Sequence, residues 1–234
     1  MHNWSVYSNF DEASKSAADF LSDKIELAIK ESGHCSVALP GGNSPVVCLG
    51  YLANNNLDWE KVHWYMGDER CYPHGHEERN DVMLKNAFWS HLSTTKMTTE
   101  NIHTIPAELG AEEAAEVYRA EIKSVKSLDI AFLGLGEDGH TASLFPNNNS
   151  LKDSRTVVPV YNSPKAPDER VSLSLNMLKM AKCRVIIASG NAKVEIISRI
   201  KSDEPLPVNR IGDINWFSDE TTISAVSDLS QSAS

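Results

Sequence analysis

The apolar run Leu128-Asp129-Ile130-Ala131-Phe132-Leu133 gives way at once to Gly134-Leu135-Gly136-Glu137-Asp138-Gly139-His140. A short run that is apolar at nearly every position reads as a strand buried on both faces, in the middle of a parallel sheet. Glycines directly after such a strand let the backbone approach a partner that a side chain would hold off. This segment therefore constrains both the architecture and the place where a ligand can sit.

The rest of the chain fits that reading. Asp11–Ser32 has helical spacing, with Ala17, Phe20, Leu21, Ile25 and Ala28 on one stripe, Asn9 and Glu12 as a capping box and Gly33 as the stop. Strands are expected at 35–39, 62–66, 101–105, 128–133, 156–160, 170–175, 184–189 and 222–226. Helices are expected at 80–91, at 112–126 with Ala115, Val117, Tyr118 and Ile122 inward, at 175–181 and at 192–200. Ser44 as N-cap and Pro45 as first helical residue start another helix, reaching about Asn54. Residues 67–79 read as a long polar loop, and the Ser-rich tail 227–234 as frayed or disordered. Strands alternating with helices predict an α/β fold, a Rossmann-like and mostly parallel sheet with helices on both faces. No repeat or long linker divides the chain, so residues 1–234 are read as one domain with a small subregion around 140–180.

Composition narrows the function classes. A net charge of −10 over 234 residues argues against a general nucleic-acid or membrane-surface binder. It leaves room for an anionic small molecule held by a local basic cluster. The four cysteines are scattered, without a C-x-x-C pair, and read as reduced thiols. The segment Met1–Ser5 lacks the basic and apolar regions of a signal peptide, and no apolar stretch is long enough to span a bilayer, so a cytoplasmic location is expected.

Ligands of open parallel sheets sit beyond the carboxyl ends of the strands, and four loops there carry chemistry. Gly41-Gly42-Asn43-Ser44 combines a tight turn with a helix start suited to an anion. Gly67-Asp68-Glu69-Arg70 suggests a guanidinium oriented by a carboxylate, though a solvated ion pair would read the same way. Cys71, His74 and His76 in that loop lack the second ligand pair of a structural zinc site. Gly190-Asn191-Ala192-Lys193 puts a lysine at another helix start. Gly134, Gly136 and Gly139 spell G-x-G-x-x-G, yet Pro146 interrupts the helix that a dinucleotide site needs. Glu137 and Asp138 would also put negative charge where a pyrophosphate must lie. A hydrolytic loop suits the segment better, with His140 able to accept a proton from water.

The segments LPGGNSP (39–45), GDERCYP with ERND (67–73, 78–81), LGLGEDGHTASLFP (133–146), RVSLSL (170–175) and SGNAK (189–193) resemble the 6-phosphogluconolactonase family, across roughly residues 9–226. Its superfamily includes glucosamine-6-phosphate deaminase and ribose-5-phosphate isomerase. The stretch 137–146 is the most specific, because deaminases read GHIAFNEP-like there. Asn43-Ser44 replaces the usual Ser-Thr, and Tyr72 the usual Val or Leu. The resemblance implies hydrolysis of 6-phospho-D-glucono-1,5-lactone to 6-phosphogluconate in the oxidative pentose phosphate pathway. It implies a sugar-phosphate substrate, no metal, no cofactor, and a monomer or weak homodimer. His140 is then the expected base, oriented by Asp138 or Asp68. Gly41, Gly42, Asn43, Ser44, Arg70, Arg170 and Lys193 are the expected phosphate and oxyanion contacts, with Lys193 and Arg170 on the phosphate and Arg70 near the lactone. A deaminase or isomerase, and a sugar-phosphate sensor, are the competing readings.

Overall fold

A computed structural model describes residues 2–92 and 99–232. The strands are β1 (Asn3–Tyr7), β2 (Cys35–Leu39), β3 (Val62–Met66), β4 (Asp68–Arg70), β5 (Ile102–His103), β6 (Ile130–Leu133), β7 (Val157–Val160), β8 (Arg170–Leu173), β9 (Cys183–Ile187) and β10 (Asn215–Asp219). The helices are α1 (Phe10–Ser32), α2 (Ser44–Leu52), α3 (Asn80–Ala87), α4 (Ala111–Glu121), α5 (Leu175–Met180), α6 (Val194–Lys201) and α7 (Glu220–Ser232). Among the described residues, seven strands form a sheet in the order β1-β10-β9-β6-β2-β3-β5. Every pairing in it is parallel. The glycine-terminated strand β6 is fourth of the seven, and all its residues are buried.

Local chemistry explains the ends of α1. The Asn9 side chain accepts from the Glu12 N–H, and Gly33 adopts φ +82° to close the C-terminus. The Glu12 carboxylate accepts from the Ser8 hydroxyl at 2.7 Å rather than from the Asn9 N–H, so the box is one-sided. The buried face of α1 is Ala17, Leu21, Ile25 and Ala28.

Several expectations are corrected. The N-cap of α2 is Asn43, so Ser44 is already helical. Residues 68–70, expected as loop, form β4 because they pair antiparallel with β8, which also pairs with β7. The result is a second sheet of three strands, in the order β4-β8-β7, which joins residues 68–70 to strands at 157–160 and 170–173. Val117 faces solvent at 44% exposure, while Ala115 and Tyr118 of the same helix are buried. The expected closing strand at 222–226 lies inside α7. Its β-branched Thr221, Thr222 and Ile223 follow a cap, with the Thr222 N–H donating to Asp219 Oδ1 at 2.8 Å. The true strand is β10, which with β1 completes one edge of the sheet. Trp4 of β1 stacks on Trp216 of β10 at 4.7 Å, and Trp216 is fully buried. The tail is helical through Ser232, and residues 233–234 lie outside the described residues.

From β2 the chain moves outward to β3, whereas β6 borders β9 on its other side. The crevice between the carboxyl ends of β2 and β6 is therefore a topological switch point, where open α/β sheets bind ligands. No helix among the described residues is long and apolar enough to cross a membrane.

Candidate active site

The loop after β6 folds back on itself. The Gly136 N–H donates to the His140 carbonyl at 2.8 Å, and Thr141 Oγ1 donates to the Gly134 carbonyl at 2.9 Å. A Cβ on Gly136 would stand 2.0 Å from His140 Nδ1, so the ring can lie across the loop only because that residue is glycine. Gly139 turns the chain at φ +84° against the side chain of Leu206. The imidazole also meets the Phe145 ring at 4.5 Å between centroids.

His140 Nδ1 lies 2.5 Å from Asp138 Oδ1, which also accepts from the His140 backbone N–H at 3.1 Å. Burial works against the Asp138 carboxylate, but the hydrogen bond and charge of His140 hold it down at about 2. An ionised Asp138 accepts a proton-bearing Nδ1 and leaves Nε2 with its lone pair. Of the two carboxylates that the sequence left open, Asp138 is the one in contact. Asp68 is engaged elsewhere, accepting from Ser143 Oγ at 2.5 Å and from Asn80 Nδ2 at 3.3 Å.

His140 lines a cleft of about 190 Å3 at the switch point. Gly41, Gly42, Asp68, Arg70, Arg170 and Lys193 line it too, so most of the expected contacts converge. Asn43 and Ser44 are not among its walls, because α2 begins there and carries them away from the cleft. Asp138 stands behind His140 and faces a second, larger cleft of about 640 Å3. That larger space is a poor anion site, since its Arg155 is taken by Asp153, Glu112 and Glu116. The smaller one sets Arg70, Lys165, Arg170 and Lys193 against Asp68 and Glu137.

The basic groups are held ready rather than neutralised. Arg70 donates to the Glu78 carbonyl at 2.8 Å, and Arg170 to the carbonyls of Lys165 and Ala166 at 3.1 and 3.0 Å. The Nε atoms of both arginines are buried with no hydrogen-bond partner among the described residues. Lys193 Nζ donates to the Leu135 carbonyl at 2.7 Å, and burial lowers its proton affinity. Burial also lowers that of Arg170. The expected ion pair between Arg70 and an adjacent acid does not form. Glu69 turns inward and caps α3, accepting the N–H groups of Asn80 and Asp81 at 2.8 and 2.9 Å. Burial raises its carboxyl to about 7 against those donors.

Two residues of the cleft escaped the sequence reading. Asn80 had a signal in the Glu78–Asp81 segment, and its amide packs on Gly41, where a Cβ would come within 2.0 Å of Asn80 Oδ1. Lys165 had none, since it sits in a proline-bounded loop that is brought to the cleft by the bonds to Arg170. Among the described residues, Cys71, His74 and His76 are not grouped as ligands around one point. His76 stacks on Tyr72 at 4.1 Å, and burial pushes the Cys71 thiol up to about 12. All four cysteines are free.

The family model for glucosamine-6-phosphate isomerases/6-phosphogluconolactonase matches residues 8–222. A 6-phosphogluconolactonase of Mycobacterium leprae is 29% identical over 215 residues, covering 86% of each chain. The crystal structure of a 6-phosphogluconolactonase from Thermotoga maritima superposes with a TM-score of 0.86 at 25% identity, covering 94% of this chain and all of that one. A monomeric glucosamine-6-phosphate deaminase shares the fold, with a TM-score of 0.81 at 17% identity over 95% of this chain and 99% of its own.

Proposed function

This chain belongs to the glucosamine-6-phosphate isomerase/6-phosphogluconolactonase family, and from that membership we propose that it hydrolyses 6-phospho-D-glucono-1,5-lactone, with His140 as general base. The observation that carries the mechanism is the Asp138–His140 pair at the wall of a cation-rich cleft. A phosphate monoester carries close to two negative charges near neutral pH, and the cleft offers a surplus of two positive ones when His140 is neutral.

Arg70 and Arg170 are cross-strand partners in the β4–β8 ladder. Their unpartnered Nε atoms favour both arginines on the phosphate, with Lys165 beside them, in preference to the split that the sequence suggested. Lys193, bonded to Leu135 in the loop that carries His140, then belongs at the lactone end. There His140 Nε2 takes a proton from water as the water oxygen bonds to the lactone carbonyl carbon. The oxyanion forms next to the Lys193 ammonium, where a fixed charge in a confined site stabilises it. Collapse of this intermediate breaks the bond from C1 to the ring oxygen, which receives the proton from His140. The new carboxyl group ionises, and the ring-opened 6-phosphogluconate leaves. Proton transfer of this kind contributes about 10²–10⁴-fold.

The deciding measurement is formation of 6-phosphogluconate from the lactone, corrected for spontaneous hydrolysis, beside deamination of glucosamine 6-phosphate. Acceleration of the first alone is the expected result. Acceleration of the second alone, or of neither, overturns the proposal.

A further inference from the structure

Away from the residues that line the cleft, two histidines meet across the neighbouring strands β3 and β5. His63 of β3 and His103 of β5 lie on one face, and His63 Nδ1 stands 3.1 Å from His103 Nε2. The other nitrogen of His103, Nδ1, is fixed at 2.8 Å from Glu121 Oε1 at the end of α4. The ring of His103 is further held by stacking on Tyr65 at 4.4 Å. None of these groups serves the reaction proposed above.

We propose that His63 and His103 form a two-imidazole site for a divalent transition metal ion of the zinc type, with Glu121 orienting His103. Zinc–nitrogen bonds of about 2.0–2.1 Å at a tetrahedral angle set two ligand nitrogens about 3.3 Å apart. The observed 3.1 Å is close to that, so a small opening and turn of the rings makes room for the ion. A carboxylate on the far nitrogen fixes the tautomer in which the near nitrogen carries a lone pair, the usual outer support of a metal-binding histidine. His103 therefore has Nε2 already available. His63 donates Nδ1–H to it in the metal-free protein and ligates once that proton moves to its own Nε2, with no net proton released. Among the described residues no group of three or more His, Cys, Asp or Glu side chains is arrayed to hold an ion. The site is thus a pair of imidazoles, and water completes the coordination. His34 lies edge-on to His63 at 6.4 Å between ring centroids and is a further nitrogen donor beside the pair. Its consequence is mechanical, because β5 is a two-residue edge strand and an ion would clip it to β3.

Calorimetric titration of Zn2+ into the full chain tests this, alongside thermal unfolding with and without the ion. The expected result is one equivalent bound through this pair and a rise in Tm. His63→Gln and His103→Gln each weaken that binding at least tenfold and abolish the rise, and lactone hydrolysis is unchanged. Glu121→Gln, an exposed substitution that leaves both imidazoles in place, weakens binding about tenfold. It keeps the test decisive should a histidine variant fold poorly. Equal affinity and stoichiometry in the wild type and these variants, or no heat at millimolar Zn2+, overturns the proposal.

Discussion

Arg70 and Arg170 stand directly opposite each other in the antiparallel β4–β8 ladder, and both reach the cleft. Like charges at such positions are unfavourable in a sheet. Here they sit with buried, unpartnered Nε atoms, an arrangement that an anion relieves. Arg170→Ala is expected to raise KM for the lactone at least tenfold with a smaller change in kcat, the pattern of lost ground-state binding. Inorganic phosphate should raise the Tm of the wild type and raise that of the variant less. Steady-state kinetics and a thermal scan check both, and an unchanged KM removes Arg170 from the phosphate site.

In the proposed mechanism Asp138 orients His140 and His140 takes the proton, and the two are in contact at 2.5 Å. His140→Ala is expected to lower kcat at least 100-fold without loss of the fold. Asp138→Asn should lower it about 10²–10⁴-fold, because an amide no longer selects the tautomer with a free Nε2. The same pair leaves a mark on stability. The Asp138 carboxyl falls from its ordinary 3.8 to about 2. Its ionised form therefore stabilises the fold above about pH 4, and that contribution is lost as pH falls towards 2. Urea unfolding from pH 2 to 5 should show a shallower slope in Asp138→Asn than in the wild type.

How far the sequence carried these conclusions depends on which interactions were local. β2 and β3 were read to the residue, because five-residue apolar strands between turn signals leave little choice. The central place of β6 followed from its double-sided apolarity. β1 and β10 escaped because each is held by the other and by packing of Trp4 on Trp216, a contact between the two ends of the chain. The glycine loop and His140 were legible as a candidate site that lines the cleft, since glycine spacing is a local property. Which acid meets His140 was not, although Asp138 lies only two residues away, because the choice depends on how the loop folds back. Lys165 was invisible for the same reason on a larger scale.

Gly136 tests the geometry of that loop without removing any polar group from it. Its φ is not in the left-handed region, so alanine carries no backbone penalty there, yet the new Cβ would stand 2.0 Å from His140 Nδ1. The imidazole must move away and lose its bond to Asp138. Gly136→Ala is expected to reduce kcat about 100-fold, comparable to removal of the base, with Tm within several degrees of the wild type. A variant with near-normal kcat would mean that the ring does not act from this position.

Substitution of Lys193 tests the proposed division between the lactone and phosphate ends of the substrate. Its ammonium is tied to Leu135, between the glycines that carry the chain to His140, whereas the arginines approach from the small antiparallel sheet. An ammonium that serves the oxyanion gains most of its interaction in the transition state, and one that serves the phosphate interacts equally before and after. Lys193→Met keeps the length and apolar stem of the side chain and removes the charge. It is expected to lower kcat about 10²-fold with KM changed by less than about fivefold, since loss of one oxyanion donor costs on that order. Rate measurements across substrate concentrations for Lys193→Met and Arg170→Ala together make the division visible. A rise in KM alone in Lys193→Met would move this lysine to the phosphate and leave the oxyanion to other groups of the cleft.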